Sequence, residues 1–387
     1  MAIVIVSGAI ANKYLNGGEA WVRLNWVLGF RKLGFQVYFV EQIGRDTCLN
    51  EAGDVTAFED CANLAYFKQI IDDFGLAGSA ALIYENGEQV YGLTNAELQD
   101  IAQSADLLVN IGGHLTQEAL LRRLRHKAYI DIDPGFTQFW HADKNVDFSI
   151  GEHDFYFTIG ENIGTPACCV PTGGIHWRRT QPPVVLEHWK VSNEGERDRF
   201  TTIANWRGPF GSIQHEGKIF GLKLHEFRKL IELPERAPGT FEIALNIHPA
   251  EEEDINLLHR HGWQLANPGL VAADPLAFLR YVQTSSAEFS VAQGIYVDSE
   301  SGWFSDRTVG YLASGKPALV QDTGFSRNYP VGEGLVAFRT LEEAVDGAKQ
   351  IMRDYDKHCS AARALAETYF DSDKVLGRLL EEIDMAS

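Results

Sequence analysis

Short apolar segments alternate with longer amphipathic segments along the whole chain, and this alternation restricts the possible folds more than any other feature. Residues 2–6 form a continuous apolar run that ends at Ser7, and the segment after Gly18 carries apolar residues at helical spacing up to Gly34. A continuous apolar run is typical of a strand buried on both faces. Strands that alternate with helices form a parallel sheet covered by helices, so the sequence predicts an α/β fold.

The alternation also predicts where the elements lie. Strands are expected at 2–6, 35–40, 107–111, 128–132, 155–159, 167–170, 200–204, 242–246, 289–291, 317–321 and 335–338. Helices are expected around 20–28, after Thr94, at 116–125, at 222–233, after Asp274-Pro275, and at 305–314, 340–355 and 374–383. Thr94-x-x-Glu97 and Thr340-x-x-Glu343 are spaced as capping boxes at helix starts.

The pattern lapses near the middle of the chain. Pro182-Pro183 is followed by a charged stretch, so residues 181–199 are expected to link two domains. A chain of 387 residues is also long for a single core. We therefore predict two tandem Rossmann-like, doubly wound domains, one at 1–185 and the other at 186–370.

The charge of the chain restricts its partners. The chain has 34 Lys and Arg residues and 53 Asp and Glu residues, which gives a formal net charge of −19. Duplex nucleic acid and anionic lipid need a basic surface, so neither is expected as the main partner, although a small cationic pocket for one phosphorylated molecule is compatible with this charge. No apolar run reaches the ~18 residues of a membrane span. The five cysteines form no metal-binding or disulfide pattern, so we expect a cytoplasmic protein without a metal site.

The most informative segment is 301–324. Ser305 or Asp306 is expected to cap a helix in this segment. The first N–H groups of a helix have no partner within it, and Ser305, Arg307 and Thr308 lie beside them in the sequence. This combination suits a diphosphate.

This segment and the residues after it resemble the second domain of glycosyltransferases of the GT-B class. The motifs occur in the order Ala313-Ser-Gly-Lys-Pro317, an apolar strand to Gln321, and Asp322-Thr-Gly324. Similar segments lie further along the chain at Gly332-Glu-Gly-Leu335, Thr340-Leu-Glu-Glu-Ala344 and Tyr369-Phe370. The resemblance is specific over roughly residues 285–385 and architectural over the first 200.

The resemblance implies two Rossmann-like domains that face a cleft, with the last helix, 371–387, packed back on the first domain. It implies a glycosyltransferase that moves a sugar from a nucleotide-sugar donor to a hydroxyl-bearing small-molecule or glycan acceptor, with no cofactor besides this co-substrate. The donor is expected on the second domain, held by Arg207, Lys223, Gly302, Trp303, Phe304, Ser305, Asp306, Arg307, Thr308, Asp322 and Thr323.

The catalytic base is expected at a strand end that faces the cleft from the first domain. His114 follows two glycines after the strand at 107–111, and Asp133 follows the strand at 128–132. Both residue types accept protons from hydroxyl groups in enzymes. Each is therefore a candidate base.

Three glycines flank the loop after the first strand, namely Gly8, Gly17 and Gly18. Glycine lets a backbone approach a ligand closely, so this loop is expected to reach into the cleft. The spacing is not GxGxxG, which disfavours an NAD-dependent dehydrogenase.

Departures from the family pattern leave the subfamily open. Many retaining members carry a pair of glutamates around the donor loop, where this sequence has Gly302 and Gly310. The plant-type His-Cys-Gly-Trp-Asn-Ser signature is also absent. The sugar, the nucleotide base, the stereochemical outcome and the oligomeric state stay open. A nucleotide-sugar epimerase and a catalytically silent nucleotide-sugar-binding protein remain alternatives, because a fold does not determine its chemistry.

Overall fold

The structure, a computed structural model, describes residues 2–143, 150–151, 153–192, 195, 197–208 and 210–385. The strands form two mainly parallel sheets and one small hairpin. Helices pack on both faces of each sheet, so the α/β class with two Rossmann-like units is confirmed.

The first sheet has the strand order β4-β3-β2-β1-β5-β6-β7-β8, with one antiparallel pair, β3 with β4. Its strands are β1 (Ile3–Ser7), β2 (Gln36–Ile43), β3 (Ala80–Tyr84), β4 (Gln89–Gly92), β5 (Leu107–Ile111), β6 (Lys127–Asp131), β7 (Phe155–Thr158) and β8 (Trp177–Arg179).

The second sheet has the strand order β13-β12-β9-β14-β15-β16 and is parallel throughout. Its strands, with the hairpin β10–β11, are β9 (Arg199–Asn205), β10 (Ile213–His215), β11 (Lys218–Phe220), β12 (Thr240–Asn246), β13 (Gln264–Ala266), β14 (Ala287–Ser290), β15 (Ala318–Gln321) and β16 (Leu335–Phe338).

The helices connect these strands. The α-helices of the first half are α1 (Gly17–Lys32), α2 (Ala62–Asp73), α3 (Asn95–Ser104), α4 (Glu118–Leu121) and α5 (Phe136–Ala142). Those of the second half are α6 (Lys223–Arg228), α7 (Leu233–Arg236), α8 (Glu252–Arg260), α9 (Pro268–Val271), α10 (Pro275–Thr284), α11 (Gly294–Ser299), α12 (Asp306–Ala313), α13 (Leu341–Arg353), α14 (Tyr355–Leu365) and α15 (Ser372–Glu382), with a π-helical turn at Ala366–Phe370.

Local sequence signals explain several helix starts. Thr94 and Thr340 each form the predicted capping box with the glutamate three residues later. The Asp274 carboxylate accepts hydrogen bonds from the N–H groups of Leu276 and Ala277 at 2.9 and 2.8 Å, and Pro275 occupies the first helical position of α10. These capping predictions are confirmed.

The expected strand at 167–170 is wrong, and the last strand of the first sheet is β8 instead. Cys168 N–H donates to the Thr165 carbonyl at 3.2 Å and closes a turn. Cys169 N–H donates to the Ser299 carbonyl at 3.3 Å, so this backbone bonds to the second half of the chain and not to a neighbouring strand. Periodicity alone also missed β3 and β4.

The apolar core follows the two faces of each sheet, because successive residues of a strand point to opposite sides. In β1, Val4 and Val6 pack with α1 and α2, whereas Ile5 packs with α3 and α4. In β15, Val320 packs with α12, whereas Leu319 packs with α13. The strands are thus buried on both faces, which explains their continuous apolar sequences.

The last helix, α15, packs against α1 of the first half of the chain. Leu376 of α15 packs against Gly29 of α1, where an added Cβ would lie 2.7 Å from Leu376 Cδ1. Asp373 forms an ion pair with Lys32 of α1 at 3.0 Å. The connection between the two sheets runs from β8 to β9 and buries Trp189. The division of the chain into domains at 185 stays a prediction.

The two halves also meet where α1 begins. Gly17 N–H donates to the Ala272 carbonyl at 2.8 Å, and Trp21 Nε1 donates to the Pro275 carbonyl at 2.7 Å. An added Cβ on Gly17 would overlap the carbonyl group of Asp274, and the same atom on Gly18 would lie 2.8 Å from the Phe278 ring. The close approach expected at these glycines is therefore an approach to the second half of the chain.

None of the helices in the described residues combines the length and the apolar character that crossing a bilayer requires.

Gly17→Ala is expected to destabilise the protein by about 1–3 kcal/mol, the usual cost of forcing extra atoms into a packed contact. The matched control is Gly377→Ala in α15, where an added Cβ meets no atom within 4 Å. Alanine there should be neutral or stabilising by about 0.5–1 kcal/mol. Chemical denaturation measures both. A Gly17→Ala variant as stable as the native chain would show that the two halves do not meet at α1.

Candidate active site

A cavity of about 590 Å³ lies between the two sheets, at the ends of their parallel strands. Ligands of α/β proteins bind outside the carboxyl ends of the strands, so this is the expected position for a site. The residues after β6 form one wall, and the ends of β9 and β12 with the start of α12 form the other; the polar residues among its lining are Tyr14, Asn16, Glu19, Asn25, Asp133, Asn205, Lys223, Asn246, Asn267, Ser305, Asp306 and Arg307.

Arg307 is the fixed cation of the second wall. Its Nε donates to Glu288 Oε1 at 2.7 Å, its Nη1 to the Ile203 carbonyl at 2.8 Å and its Nη2 to Ser290 Oγ at 2.8 Å. Glu288 is fully buried in β14. A guanidinium held at three points on two neighbouring strands presents its charge to the cavity with little loss of side-chain entropy on binding.

Lys223, the first residue of α6, is the second cation of this wall. Its N–H donates to Gln293 Oε1 at 2.9 Å, but none of the described residues accepts a hydrogen bond from its ammonium. Burial, with the neighbouring Arg307 charge, lowers the pKa of Lys223 to about 7. An ammonium beside a guanidinium and without a bonded carboxylate is suited to an anion.

The start of α12 adds N–H groups to this wall. Ser305 is the N-cap, but its side chain makes no capping hydrogen bond. The first N–H groups of a helix have no carbonyl partner within it; here the Asp306 N–H bonds to its own carboxylate, and Ser305, Asp306 and Arg307 line the cavity. A helix N-terminus carries partial positive charge, so this edge of the cavity favours negative charge.

The opposite wall is acidic. Asp133 is exposed to the cavity but lies deep between protein walls. Burial, together with the charges of Glu19 and Asp131, raises its pKa to about 6. Across the cavity, at the start of α12, burial and the charge of Glu19 likewise raise the pKa of Asp306 to about 7. The pKa of Asp133 thus lies about one unit below neutral pH, so the carboxylate is mostly ionised there and is a stronger base than an ordinary aspartate, which suits proton transfer.

The position of Asp133 is set by its neighbour Asp131 at the end of β6. Asp131 is buried and accepts hydrogen bonds from Thr137 at 2.8 Å, Gln138 at 2.7 Å and Thr158 at 2.7 Å. Its role is therefore to hold the turn after β6. In the described part of the chain, no three His, Cys, Asp or Glu side chains are arranged to hold a metal ion.

His114 lies close to the acidic wall but is not among the described residues that line the cavity. Burial, with the charges of Arg23 and Lys13, lowers the pKa of His114 to about 4. The imidazole is therefore neutral at physiological pH.

Sequence reasoning missed Glu19, which α1 carries into the cavity next to Asn16, the N-cap of that helix. Glu19 pairs with the buried Arg23, and although burial acts to raise its pKa, the Arg23 guanidinium holds that pKa below its ordinary value. Gly8 packs against Arg23, where an added Cβ would lie 2.8 Å from Arg23 Cγ. The capping signal of Asn16 before Gly17-Gly18 could have identified Glu19.

Two of the predicted donor-binding side chains belong to the core instead. Phe304 is 1% exposed and its ring packs between those of Phe325 and Phe370, with centroids at 5.1 Å from each. Thr308 is fully buried. Thr308 lies on the buried face of α12, and Phe304 precedes the N-cap of that helix. Trp303 does line the cavity, and its contact with the donor stays a prediction.

The turn after β15 is structural, which corrects the predictions for Asp322 and Thr323. The Asp322 carboxylate accepts hydrogen bonds from Arg339 Nη2 at 2.8 Å, Ser326 Oγ at 2.8 Å and Gly324 N–H at 2.9 Å. Thr323 Oγ1 donates to the Trp303 carbonyl at 2.6 Å. Neither residue is among the described residues that line the cavity.

Gly302 also serves the fold and not the cavity. Its φ is +76°, a conformation that favours glycine. An added Cβ would lie 2.8 Å from Asn162 Cγ of the first half. The glycine allows the donor loop to pack against that half.

Arg207 is not brought to the cavity. Its guanidinium pairs with both carboxylate oxygens of Glu251, with 3.0 Å between Nη2 and Oε2, and its side chain is 55% exposed. This ion pair raises the pKa of Arg207 above its usual range. Of the two phosphate-binding cations expected in this region, the structure brings only Lys223 to the cavity wall.

Asp322→Asn is expected to lower the free energy of unfolding by about 1–3 kcal/mol, since buried hydrogen bonds to a charged group are lost. The pKa of Asp322 is lowered despite its burial, by the bonds from Ser326 and Arg339, so its contribution is present at neutral pH and is lost as the pH falls below its unfolded value of about 4. Denaturation at pH 7 and in acid measures this.

The control for Asp322→Asn is Asp346→Asn, whose ion pair with Lys349 at 3.6 Å is exposed on both sides. Such pairs contribute about 0–1 kcal/mol. If both variants lost the same small amount of stability, Asp322 would not be the anchor of this turn.

No family model matches the chain, and a search of curated proteins finds no significant match. Solved structures do match its fold over nearly the full length. An alpha-glucosyltransferase in complex with UDP and a 13-mer DNA gives a TM-score of 0.60 at 12% identity, over 99% of this chain and 100% of that one. Anabaena HepE in complex with UDP-glucose gives 0.58 at 12% identity, over 99% of this chain and 100% of that one.

A third match is sucrose-phosphate synthase from Thermosynechococcus elongatus, with a TM-score of 0.55 at 11% identity over 100% of both chains. All three are glycosyltransferases and share the arrangement of two facing sheets. The chain therefore has the GT-B fold, as the motifs between 313 and 324 predict.

Proposed function

We propose that the protein transfers a sugar from a nucleotide-sugar donor to a hydroxyl group of an acceptor, in the cavity between the two sheets. The observation that carries the proposal is the separation of charge across this cavity. Lys223, Arg307 and the start of α12 lie on one wall, where the raised pKa of Asp306 limits its negative charge, and Glu19 and Asp133 lie on the other. One wall suits a departing diphosphate, and the other suits proton removal.

The donor diphosphate would lie against the cationic wall. In glycosyl transfer, negative charge grows on the phosphate oxygen that leaves the sugar, and fixed donors aimed at that oxygen lower the barrier. Arg307 is already immobilised, and Lys223 is free to bond. The alpha-glucosyltransferase and HepE structures contain UDP and UDP-glucose, so UDP-glucose is the first donor to test.

The acceptor would lie against the acidic wall. As the acceptor oxygen bonds to the anomeric carbon, the bond from that carbon to the phosphate oxygen breaks and its electron pair stays on the nucleotide. The acceptor proton passes to Asp133, whose raised pKa makes it a stronger base than an ordinary aspartate. Exclusion of water between the two walls would limit hydrolysis of the donor.

The same charges favour a small-molecule or glycan acceptor. Glu19 and Asp133 line the first-half wall, and the cations of the described lining, Lys223 and Arg307, both lie on the second half. An acidic wall repels a polyanion. We therefore propose that nucleic acid is not the acceptor, although one neighbour's structure contains DNA. We also propose that transfer needs no metal and occurs in the cytoplasm.

Lys223→Met is expected to weaken UDP binding about tenfold to hundredfold near pH 6, where Lys223 is charged. Because the pKa of the empty site is about 7, binding above that pH requires uptake of a proton. The advantage of the native chain over Lys223→Met should therefore shrink as the pH rises above 7. Calorimetric titration with UDP across this range measures it.

Arg207→Met is the matched control, because it removes a cation of the same region that is not brought to the cavity. Its UDP affinity should equal that of the native chain. If Arg207→Met weakened binding and Lys223→Met did not, the diphosphate would lie elsewhere.

Asp133→Asn is expected to slow transfer by about 10²–10⁴, the usual effect of losing a general base, and to leave UDP affinity unchanged. The pH profile separates the two candidate bases. With Asp133 as base, transfer by the native chain falls as the pH drops through about 6. With His114 as base, activity would persist to about pH 4.

A silent binding protein is the other outcome of these experiments. It would bind UDP-glucose saturably and release no sugar, with or without acceptors. No observation in the structure favours the epimerase alternative.

A further inference from the structure

One hydrogen bond joins the two halves of the chain at Asp133. Tyr296, on α11 of the second half, donates its hydroxyl to Asp133 Oδ1 at 3.1 Å. Among the described residues it is the one side chain that donates to this carboxylate. Oδ2 is therefore left for a ligand in the cavity.

The position of the Tyr296 hydroxyl is fixed by the packing of its ring. The ring stacks on Trp303 with centroids at 4.4 Å and planes at 25°, and meets Phe136 edge-on at 6.0 Å. Tyr296 is only 3% exposed. A ring held between an aromatic residue of each half directs its hydroxyl without further loss of freedom.

The other groups that act on Asp133 push in both directions. The carboxylates of Glu19 on α1, Asp131 on β6 and Asp306 on α12 oppose its ionisation, as does burial. The positive charge of Arg23 on α1, which pairs with Glu19, favours the ionised form of Asp133. The buried Tyr129 of β6 stays neutral, because burial and Asp131 raise its pKa. A hydrogen bond from a neutral hydroxyl favours the ionised carboxylate.

We propose that Tyr296 is a positioning residue for Asp133: its hydroxyl fixes Oδ1, aims Oδ2 at the acceptor and stabilises the ionised form that accepts the proton. This inference rests on the proposed transferase function. Because donor and acceptor of the bond come from different halves, the orientation of the base depends on the contact between the two halves.

The test is Tyr296→Phe, which keeps the ring stack and removes the hydroxyl. With aspartate labelled by carbon-13 at the carboxyl group, the Asp133 signal is assigned by its loss in Asp133→Asn, and its titration is followed by NMR. The pKa of Asp133 should rise by about one pH unit in Tyr296→Phe, the scale expected for a lost hydrogen bond. In transfer assays the acid limb should move up by the same amount and kcat should fall, with the KM for UDP-glucose within about twofold.

Tyr329→Phe is the matched control, because it removes another hydrogen bond between the halves, from Tyr329 to Glu161, away from the cavity lining. It should leave the Asp133 titration and the acid limb unchanged. If Tyr296→Phe fails to fold, 3-fluorotyrosine placed at 296 gives the opposite change: a more acidic phenol is a stronger donor, so the Asp133 pKa should fall.

An Asp133 titration that is identical in the native chain and in Tyr296→Phe overturns the proposal, as does an equal shift in Tyr329→Phe. The titration needs no turnover, so failure of the transferase function is recognised separately. If the native chain binds UDP-glucose but transfers no sugar, Tyr296 has no catalytic step to support, whatever the titration shows.

Discussion

A buried carboxylate organises the loop on which the cavity depends. Glu41, fully buried in β2, accepts hydrogen bonds from the N–H groups of Ile10, Ala11 and Asn12 at 2.9, 2.8 and 2.8 Å. Burial raises the pKa of Glu41 to about 7 even though these three bonds favour its charged form. A buried carboxyl is tolerated only when it is bonded in this way. The loop it folds leads directly into α1.

The loop determines where α1 begins, and the position of α1 determines which acidic side chain enters the cavity. The helix begins at Gly17, against the backbone of the second half, and its first turn carries Glu19 into the cavity. Glu19 and Asp131 then raise the pKa of Asp133, while Arg23 limits the repulsion. The second half supplies the opposite charge through Lys223 and Arg307. An overall acidic chain thus keeps a small cationic surface that is directed at the cavity.

The fold was largely predictable because each parallel strand is buried on both faces and so has a continuous apolar sequence. The capping boxes at Thr94 and Thr340 were predictable because both hydrogen-bonding partners lie within four residues of sequence. The strand expected at 167–170 failed because an apolar run does not reveal that its N–H groups bond to Ser299, which is far away in sequence. Asp133, predicted from a strand end, and Arg307, predicted from a helix start, both line the cavity, and their roles stay predictions.

The structure places some of the predicted site residues away from the cavity, and it does so where a side chain has a partner that is distant in sequence. Arg207 and Asp322 carry groups that could bind a donor, and both lie in loops near strand ends. In the structure, however, Arg207 forms an ion pair with Glu251, and Asp322 forms one with Arg339. Phe304 was expected to contact a ligand, but its ring is enclosed by those of Phe325, Tyr329 and Phe370. Such pairings are set by tertiary structure, and local sequence carries no sign of them.

The central claim is that a nucleoside diphosphate binds between Lys223, Arg307 and the start of α12. A crystal structure of the protein with bound UDP tests it most directly. The account predicts phosphate oxygens within hydrogen-bonding distance of Lys223 Nζ and of the first N–H groups of α12, with Asp133 across the cavity. UDP bound at any other surface, or at Arg207 in place of Lys223, would contradict it.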